Sequence, residues 1–376
     1  MNQPLEEKTR PDYDPKERKP RILLAPLDWG LGHATRCIPI IRELLTQGCE
    51  VWVATEGAQE SLLKTEFPQL SFLHLQGYRA KYARTKAGML WQMLIQSPKF
   101  LQVIKKEYDW LKKTVDKHRF DAVISDNRYG LHHSKIPCIF ISHQLTIKSP
   151  LGKWSEKFLQ KRNYGYINQF TEYWVPDTEE NDLAGELSHP KKLPDTKVQY
   201  IGSLSRFTKR DVSEIKDHLL LILSGPEPQR TLLENKIVDE VSHYNETATI
   251  VRGLPGDHSL IPSTNMIKFY NHLTADALND EMLKAEYIIS RTGYSTVMDI
   301  AALQKKSILI PTPGQTEQEY LADYLSAKEF AVCMSQKEFS LTKELQKAKR
   351  FSYRLPSLSA NNKLEQVIRQ LITSIK

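Results

Sequence analysis

The sequence predicts an α/β protein built as two doubly wound lobes with a cleft between them. Three observations lead there. The chain has 376 residues, more than one hydrophobic core usually serves. Short apolar runs alternate with segments of helical period, which predicts parallel sheets covered by helices on both faces. The alternation stops at a polar stretch, residues 202–216, and then starts again.

In the first half, Arg21–Leu27 (RILLAPL) reads as a buried strand. His33–Gln47 follows as a helix with Ile38, Ile41, Leu44 and Leu45 on one face and Gly48 as its stop. Glu50–Ala54 is the next strand, Glu56–Glu66 a helix and Leu70–Leu75 a strand. A long basic and aromatic segment runs from Gly77 to Lys113. Asp121–Ser125, Pro137–Ser142, Tyr173–Val175 and Val198–Ile201 are further strands. In the second half, His218–Leu223 is a strand, then come a two-proline turn and a helix from Arg230 to His243. Thr247–Val251, Met266–Phe269, Tyr287–Ser290, Ser307–Pro311 and Glu329–Cys333 read as strands. Between them, Thr274–Lys284, with Thr274 as N-cap, Ser295–Leu303 and Glu317–Leu325 read as helices. Helical segments near Lys337–Arg350 and Ala360–Ile372 close the chain. The expected division is a disordered tail over 1–20, a first lobe over 21–205, a second over 206–350, and a helical segment over 351–376 free to pack back on the first lobe.

Composition is that of a water-soluble protein, 40% hydrophobic and 26% charged. A net charge of +7 and a pI near 9.0 suit an anionic partner. Nucleic acid, a phosphorylated ligand and anionic lipid all fit that charge. Cys37, Cys49, Cys138 and Cys333 match neither zinc nor redox-pair spacing, so free thiols in a reducing compartment are expected. Residues 1–20 are too polar to fold and lack the apolar stretch of a signal peptide. No segment reaches the apolar length that spans a bilayer. The expected location is cytoplasmic, with contact at the inner face of the cytoplasmic membrane left open.

The first strand runs into Asp28-Trp-Gly-Leu-Gly-His-Ala-Thr-Arg36. Gly30 and Gly32 let the backbone turn and approach a ligand closely. Free N–H groups at the helix start favour an anion or developing negative charge. His33 suits a general base near neutral pH. The third glycine of a dinucleotide fingerprint would fall at Thr35, so that motif is excluded. Arg36 reads as a solvated charge. Ser125-Asp126-Asn127 ends a strand on the same side; Asp126 either orients His33, binds the acceptor or caps a helix. His143 stands at another strand end, for ligand contact or capping.

The second half is the more informative. Ser290-Arg291-Thr292-Gly293-Tyr294-Ser295-Thr296 runs from a strand into a helix. Its N–H groups and hydroxyls suit a phosphate, and Asp299 suits sugar or ribose hydroxyls. Beyond the next strand, Gln315, Thr316, Gln318 and Glu319 supply donors and acceptors for sugar hydroxyls. Two adjacent strand-end turns with this chemistry favour function over a mere capped loop.

The segment Ile288–Leu325 resembles the C-terminal domain of family 28 glycosyltransferases, in its S-R-T-G turn, acidic helix residue and Gln-rich loop. The Gly30–His33 loop resembles their Gly-rich acceptor-side loop, and the order of elements is similar over roughly 21–350. The resemblance implies a GT-B fold of two Rossmann-like lobes, the donor mainly in the second lobe and the acceptor in the first, near Gly30, Gly32 and His143. It implies chemistry that needs no bound metal and no cofactor, the nucleotide sugar, UDP-linked, being a substrate. By position, Asp299 is expected at the donor ribose and Gln318 and Glu319 at the donor sugar. Glu319 departs from the paired glutamines of the family, and that puts the sugar's identity in doubt. Leu273 falls near the base, and Ser224 and Gly225 match a phosphate-side loop that is richer in glycine in the family. Arg230 is an alternative phosphate contact or a solvated helix arginine.

Residues 78–113 mix Arg79, Lys99, Lys105 and Lys106 with Trp91, Leu94 and Phe100. They suit an anionic membrane surface or an ordinary amphipathic helix, and match no nucleic-acid motif. The leading expectation is an inverting glycosyltransferase acting on a hexose or N-acetylhexosamine, with His33 and Asp126 as the catalytic pair. The G-L-G-H-x-x-R loop also resembles that of the UDP-sugar hydrolase of bacterial nonulosonate synthesis, which makes hydrolysis the second reading. A non-catalytic nucleotide-sugar-binding protein is the third.

Overall fold

A computed structural model describes residues 18–80, 86–149, 152–180, 182–357 and 362–375. Most of the tail expected over 1–20 lies outside them. The first lobe runs β1 (Arg21–Pro26), α1 (Leu31–Thr46), β2 (Glu50–Thr55), α2 (Gly57–Glu66), β3 (Ser71–His74), α3 (Lys86–His118), β4 (Ala122–Asp126), β5 (Cys138–Ile141), α4 (Lys153–Ile167), β6 (Glu172–Val175) and β7 (Lys197–Tyr200). Its seven strands are parallel in the order β3-β2-β1-β4-β5-β6-β7.

The second lobe runs β8 (Ile215–Ile222), α5 (Gln229–Val241), β9 (Ala248–Val251), β10 (Ile267–Tyr270), α6 (Ala275–Lys284), β11 (Ala285–Ser290), α7 (Tyr294–Leu303), β12 (Lys306–Leu309), α8 (Thr316–Ala327), β13 (Val332–Cys333) and α9 (Leu341–Arg350). Its parallel order is β10-β9-β8-β11-β12-β13. A last helix, α10 (Lys363–Ser374), returns to the first lobe. Gln47 at the end of α1 donates to the Glu365 carbonyl at 2.9 Å, and Val367, Ile368, Leu371 and Ile372 are buried.

Strands form where apolar runs are buried on both faces, as in Ile22–Ala25, all fully inaccessible. Helix α1 buries Ile38, Ile41 and Leu44 completely, each contributing about 1.5–3 kcal/mol of burial. Gly30 precedes α1 at φ +89°, a backbone conformation that side chains with a Cβ rarely adopt. Thr274 caps α6, its Oγ1 accepting from Ala277 N at 3.4 Å. One apolar cluster runs unbroken from Ile22 and Ile38 of the first lobe to Ile288 and Val297 of the second.

Three local expectations need correction. Strand β8 begins at Ile215, inside the stretch read as polar linker, because it pairs with β11 from Ala285 onward. The helix expected from Lys337 begins at Leu341, since the 335–338 segment forms a turn closed by Ser335 on Glu338. Helix α4 was not foreseen at all. Its buried residues are Ser155, Asn163 and Ile167, so it carries almost no apolar stripe.

Candidate functional site

In each sheet the chain order reverses beside the first strand, at β1/β4 and at β8/β11, and crevices open beyond such strand ends. Pro26 of β1 lies in register with Asp126 of β4. This places the Asp126 side chain beneath the first turn of α1, where His33 stands. His33 Nδ1 is 3.1 Å from Asp126 Oδ2. Asp126 is fully buried and His33 keeps 15% of its side chain exposed. Burial holds the His33 imidazole below its usual range, against the pull of Asp126 and with the help of Arg36. Burial would raise the Asp126 carboxyl, but Arg36 and His33 hold it down to about 2.

Arg36 is not the solvated charge its sequence position implies. It is 3% exposed, its Nε donates to Asp126 Oδ2 at 2.9 Å, and its Nη2 donates to Asp126 Oδ1. The same Nη2 lies 2.8 Å from His33 Nδ1, and Nη1 lies 3.4 Å from His143 Nδ1. His143 Nε2 in turn meets Glu317 Oε1 of the second lobe at 2.8 Å, and the Gln144 amide donates to Oε2 of the same carboxylate. Glu317 is half-buried among these groups, and His143 keeps its carboxyl below the usual range against the partial burial. Sequence reasoning missed Arg36, Gln144 and Glu317 as site members. The only signal was the recurrence of charged residues beside strand ends.

On the second lobe, the residues expected at the donor gather at the start of α7. Ser290, Arg291 and Thr292 are buried. Ser290 Oγ donates to the Arg291 carbonyl at 3.2 Å. Among the described residues no carboxylate pairs with Arg291: Nη2 donates to the Gln229 carbonyl at 2.8 Å and Nη1 to that of Pro311 at 3.3 Å. Burial lowers its guanidinium to about 10. The buried hydroxyls of Thr292 and Thr312 find no hydrogen-bond partner among the described residues. Gly293 has an ordinary φ of −81°, so it is not needed for a tight turn. A Cβ there would meet nothing within 4 Å, so the glycine leaves open space at the helix N-terminus. Gly225 does adopt φ +102°. Leu273 is half-buried against the core.

The lobes touch directly at this point. Ser295 Oγ donates to the Gly32 carbonyl at 2.8 Å, Tyr294 Oη donates to the Pro176 carbonyl at 2.9 Å, and the Tyr294 ring stacks on His143 at 4.2 Å. Asp299 is 7% exposed and accepts from Ser205 Oγ at 2.7 Å. Burial raises its carboxyl to about 6, against the nearby Arg206. Gln318 and Glu319 cap their own loop, accepting from Thr312 N at 2.8 Å and Gly314 N at 3.0 Å, and the Gln318 amide donates to Gln315 at 2.5 Å. Arg230 is likewise committed, pairing with Glu227 at 2.6 Å and Glu234 at 3.2 Å.

Between the lobes lies a cavity of about 430 Å³. Asp28, Gly30, Glu56 and Arg79 line its first-lobe wall; Ser224, Gly225 and Arg230 line the other. Asp28 accepts from Tyr78 N at 2.8 Å and Arg79 N at 2.6 Å, and Arg79 pairs with Glu56 at 2.6 Å. Charge of both signs therefore faces the space.

The two-lobed architecture and a cleft built at facing switch points are those of GT-B glycosyltransferases. The chain is a GT-B glycosyltransferase, and its residues 258–371, from the second lobe into α10, match the glycosyltransferase family 28 C-terminal domain. It is 23% identical over 324 residues to the UDP-N-acetylglucosamine–N-acetylmuramyl-(pentapeptide) pyrophosphoryl-undecaprenol N-acetylglucosamine transferase of Haemophilus ducreyi, covering 82% of this chain and 83% of that one. An uncharacterized glycosyltransferase of Methanosarcina acetivorans is 22% identical over 321 residues, with 77% and 79% covered. Among solved structures, glycosyltransferase SnogD from Streptomyces nogalater superposes with a TM-score of 0.56 at 13% identity, covering 95% and 96%. MurG of Acinetobacter baumannii does so at 0.52 and 14%, covering 95% and 100%.

Proposed function

We propose that this glycosyltransferase moves a hexose or N-acetylhexosamine from a UDP-linked donor to an acceptor hydroxyl, with inversion at the anomeric carbon. The observation that carries this reading is the meeting of two strand-end loops across the cleft. His33 on Asp126 lies on one side and the open α7 N-terminus on the other, joined by the 2.8 Å bond from Ser295 to Gly32. With its Nδ1–H donated to Asp126, neutral His33 has a free lone pair at Nε2. That atom takes the proton of the acceptor hydroxyl as the new C–O bond forms. The bond to the diphosphate breaks in the same step, and the diphosphate leaves with the electron pair. Backbone N–H groups at Gly293–Thr296 and the Ser224–Gly225 loop meet the leaving group's charge. The scheme assigns that stabilisation to protein groups and gives a metal no part. Donor binding requires the Ser295–Gly32 bond to part.

The activity named for the Haemophilus relative, with a UDP-sugar donor and an undecaprenol-linked acceptor, supports a UDP donor and a lipid-linked acceptor here. Contact with an anionic membrane fits the same picture. Of the expected segment 78–113, Lys81 and Arg84 lie outside the described residues, as do the side chains of Trp91 and Leu94. Its described part exposes Ile95 and Leu101. Helix α4 adds Trp154, 82% exposed and stacked on Phe158 at 6.4 Å, among Lys153, Lys157 and Lys161. No helix among the described residues is long and apolar enough to cross a membrane. A cytoplasmic, membrane-peripheral enzyme is the location this reading implies.

The test is UDP release from a panel of UDP-sugars, with and without a lipid extract of the source cells. Release that depends on the extract is expected. Equal release without it would mark hydrolysis, and retention of full turnover by His33→Ala would remove the proposed base. Loss of a general base costs about 10²–10⁴-fold.

A further inference from the structure

We infer that Arg36 is a positioning residue for His33: it clamps Asp126 in place and keeps the imidazole in the neutral form with its Nε2 lone pair free. The inference rests on the reading of His33 as the base. Its starting point is a conflict in the hydrogen bonds. His33 Nδ1 lies within bonding distance of both Asp126 Oδ2, at 3.1 Å, and Arg36 Nη2, at 2.8 Å. One ring nitrogen cannot donate to the first and accept from the second.

If Nδ1 accepted from Arg36, the ring proton would sit on Nε2, and Nε2 would have no lone pair for an acceptor hydroxyl. If Nδ1–H is donated to Asp126, Nε2 is basic. The guanidinium decides between these because its other bonds are already fixed. Nε and Nη2 both donate to the Asp126 carboxylate, one to each oxygen. That grip anchors the carboxylate that receives Nδ1–H, and a buried carboxylate draws the ring proton more strongly than a cation offers one.

Arg36 also sets the charge of the ring. A second proton on His33 would place a cation beside a guanidinium in a largely buried site. The groups facing this pair come from every neighbouring element. Cys37 is on the same helix, Asp126 on β4, His143 beyond β5, Tyr173 on β6, Tyr294 on α7 and Glu317 on α8. Only Asp126 and Glu317 are anionic among them, and Arg36 lies between Asp126 and His143, which itself is bonded to Glu317. The guanidinium thus compensates the acid nearest to His33 and keeps it from drawing a second proton onto the ring. After the base has taken a proton, the same repulsion favours its release.

The test is a pH titration of the full chain with ¹⁵N-labelled histidine rings, followed by NMR, with His33→Ala used to assign the His33 signals. In the unmodified protein, neutral His33 should carry its proton on Nδ1, with a titration midpoint below 6.5. In Arg36→Gln the midpoint should rise by about one pH unit. If that variant does not fold, Arg36→Lys is read in its place. A single ammonium cannot hold both carboxylate oxygens and reach the ring, so a smaller rise is expected. A midpoint unmoved from the unmodified protein in the variant that folds, or a neutral ring protonated on Nε2 in the unmodified protein, would overturn the inference. Turnover of His33→Ala on UDP-sugars is measured separately. If it persists, the base reading falls, while the titration still shows whether Arg36 governs the ring.

Discussion

His143 Nε2 donates to Glu317 Oε1 at 2.8 Å, although the two residues lie 174 positions apart and on opposite lobes. The Gln144 amide shares the same carboxylate, and the His143 ring is pinned by Tyr294 of the second lobe. These bonds exist only while the lobes meet. Hydrogen bonds to a charged group contribute about 1.5–3 kcal/mol each, so Glu317→Ala should shift the molecule toward an open form. Small-angle scattering should show a larger radius of gyration for the variant than for the unmodified chain. Superimposable scattering curves would refute the role given to this contact.

Two glycines of one loop should behave differently. A Cβ on Gly32 would stand 3.2 Å from Ser295 Oγ, across the cleft. Gly32→Ala should therefore hinder closure and lower turnover while leaving the thermal midpoint nearly unchanged. A Cβ on Gly30 meets nothing within 4 Å, but the residue holds φ +89°. Gly30→Ala should cost about 1–2 kcal/mol of stability. Equal stability losses in the two variants would contradict this division.

Beneath the cleft, Arg128 and Glu107 form a pair 0% and 1% exposed, 2.8 Å apart. Arg128 also donates to the Pro26 and Gln76 carbonyls, and Glu107 accepts from Tyr78 Oη and Gly130 N. Glu107→Ala would strand the guanidinium in the core. A loss of about 3–5 kcal/mol is expected in a urea melt. A loss below about 1 kcal/mol would mean that water or another acceptor reaches Arg128.

Acid should unfold the protein by a traceable route. Arg79 holds the Glu56 carboxyl at about 2, and His218 with Lys284 does the same for Glu281. Asp126 is held at about 2 by Arg36 and His33 despite its burial. Unfolded carboxylates titrate near pH 4. These folded-state values are lower, so the associated stability is present above about pH 4 and lost as the pH falls toward 2. Stability measured across that window should fall more gently in Asp126→Asn than in the unmodified chain. Parallel curves would exclude Asp126 from the acid response.

The apolar surface of α4 gives a vesicle experiment. Trp154→Ser together with Phe158→Ser should reduce co-sedimentation with anionic phospholipid vesicles at least several-fold and leave UDP release from the donor in the presence of a soluble acceptor intact. Unchanged sedimentation would remove α4 from the membrane contact.

The strand–helix alternation was legible because a parallel strand buried on both faces writes itself as a continuous apolar run, as in Leu219–Leu221 and Ile288–Ile289. His33, Asp126 and Ser295 were legible as candidates because they follow such runs. Arg36 and Glu317 were not. Their partners lie 90 positions away at Asp126 and 174 away at His143, and local patterning carries no record of pairing at that range. Helix α4 escaped for another reason. It buries a serine and an asparagine where an apolar stripe would be expected. Asp299 was read at its correct place on α7, but its bond to Ser205 belongs to the segment between the lobes.

Helix α10 has a mechanical consequence. The chain passes from the first lobe to the second after β7 and comes back before α10, which is fastened along α1. Two crossings join the lobes where one would suffice. A single strand of chain is a swivel, which leaves twist and tilt unconstrained. A pair of crossings defines an axle, and the remaining freedom is rotation about the line through both. The cleft then opens and shuts along a repeatable arc, and His33 returns to the same seat opposite α7 after each turnover.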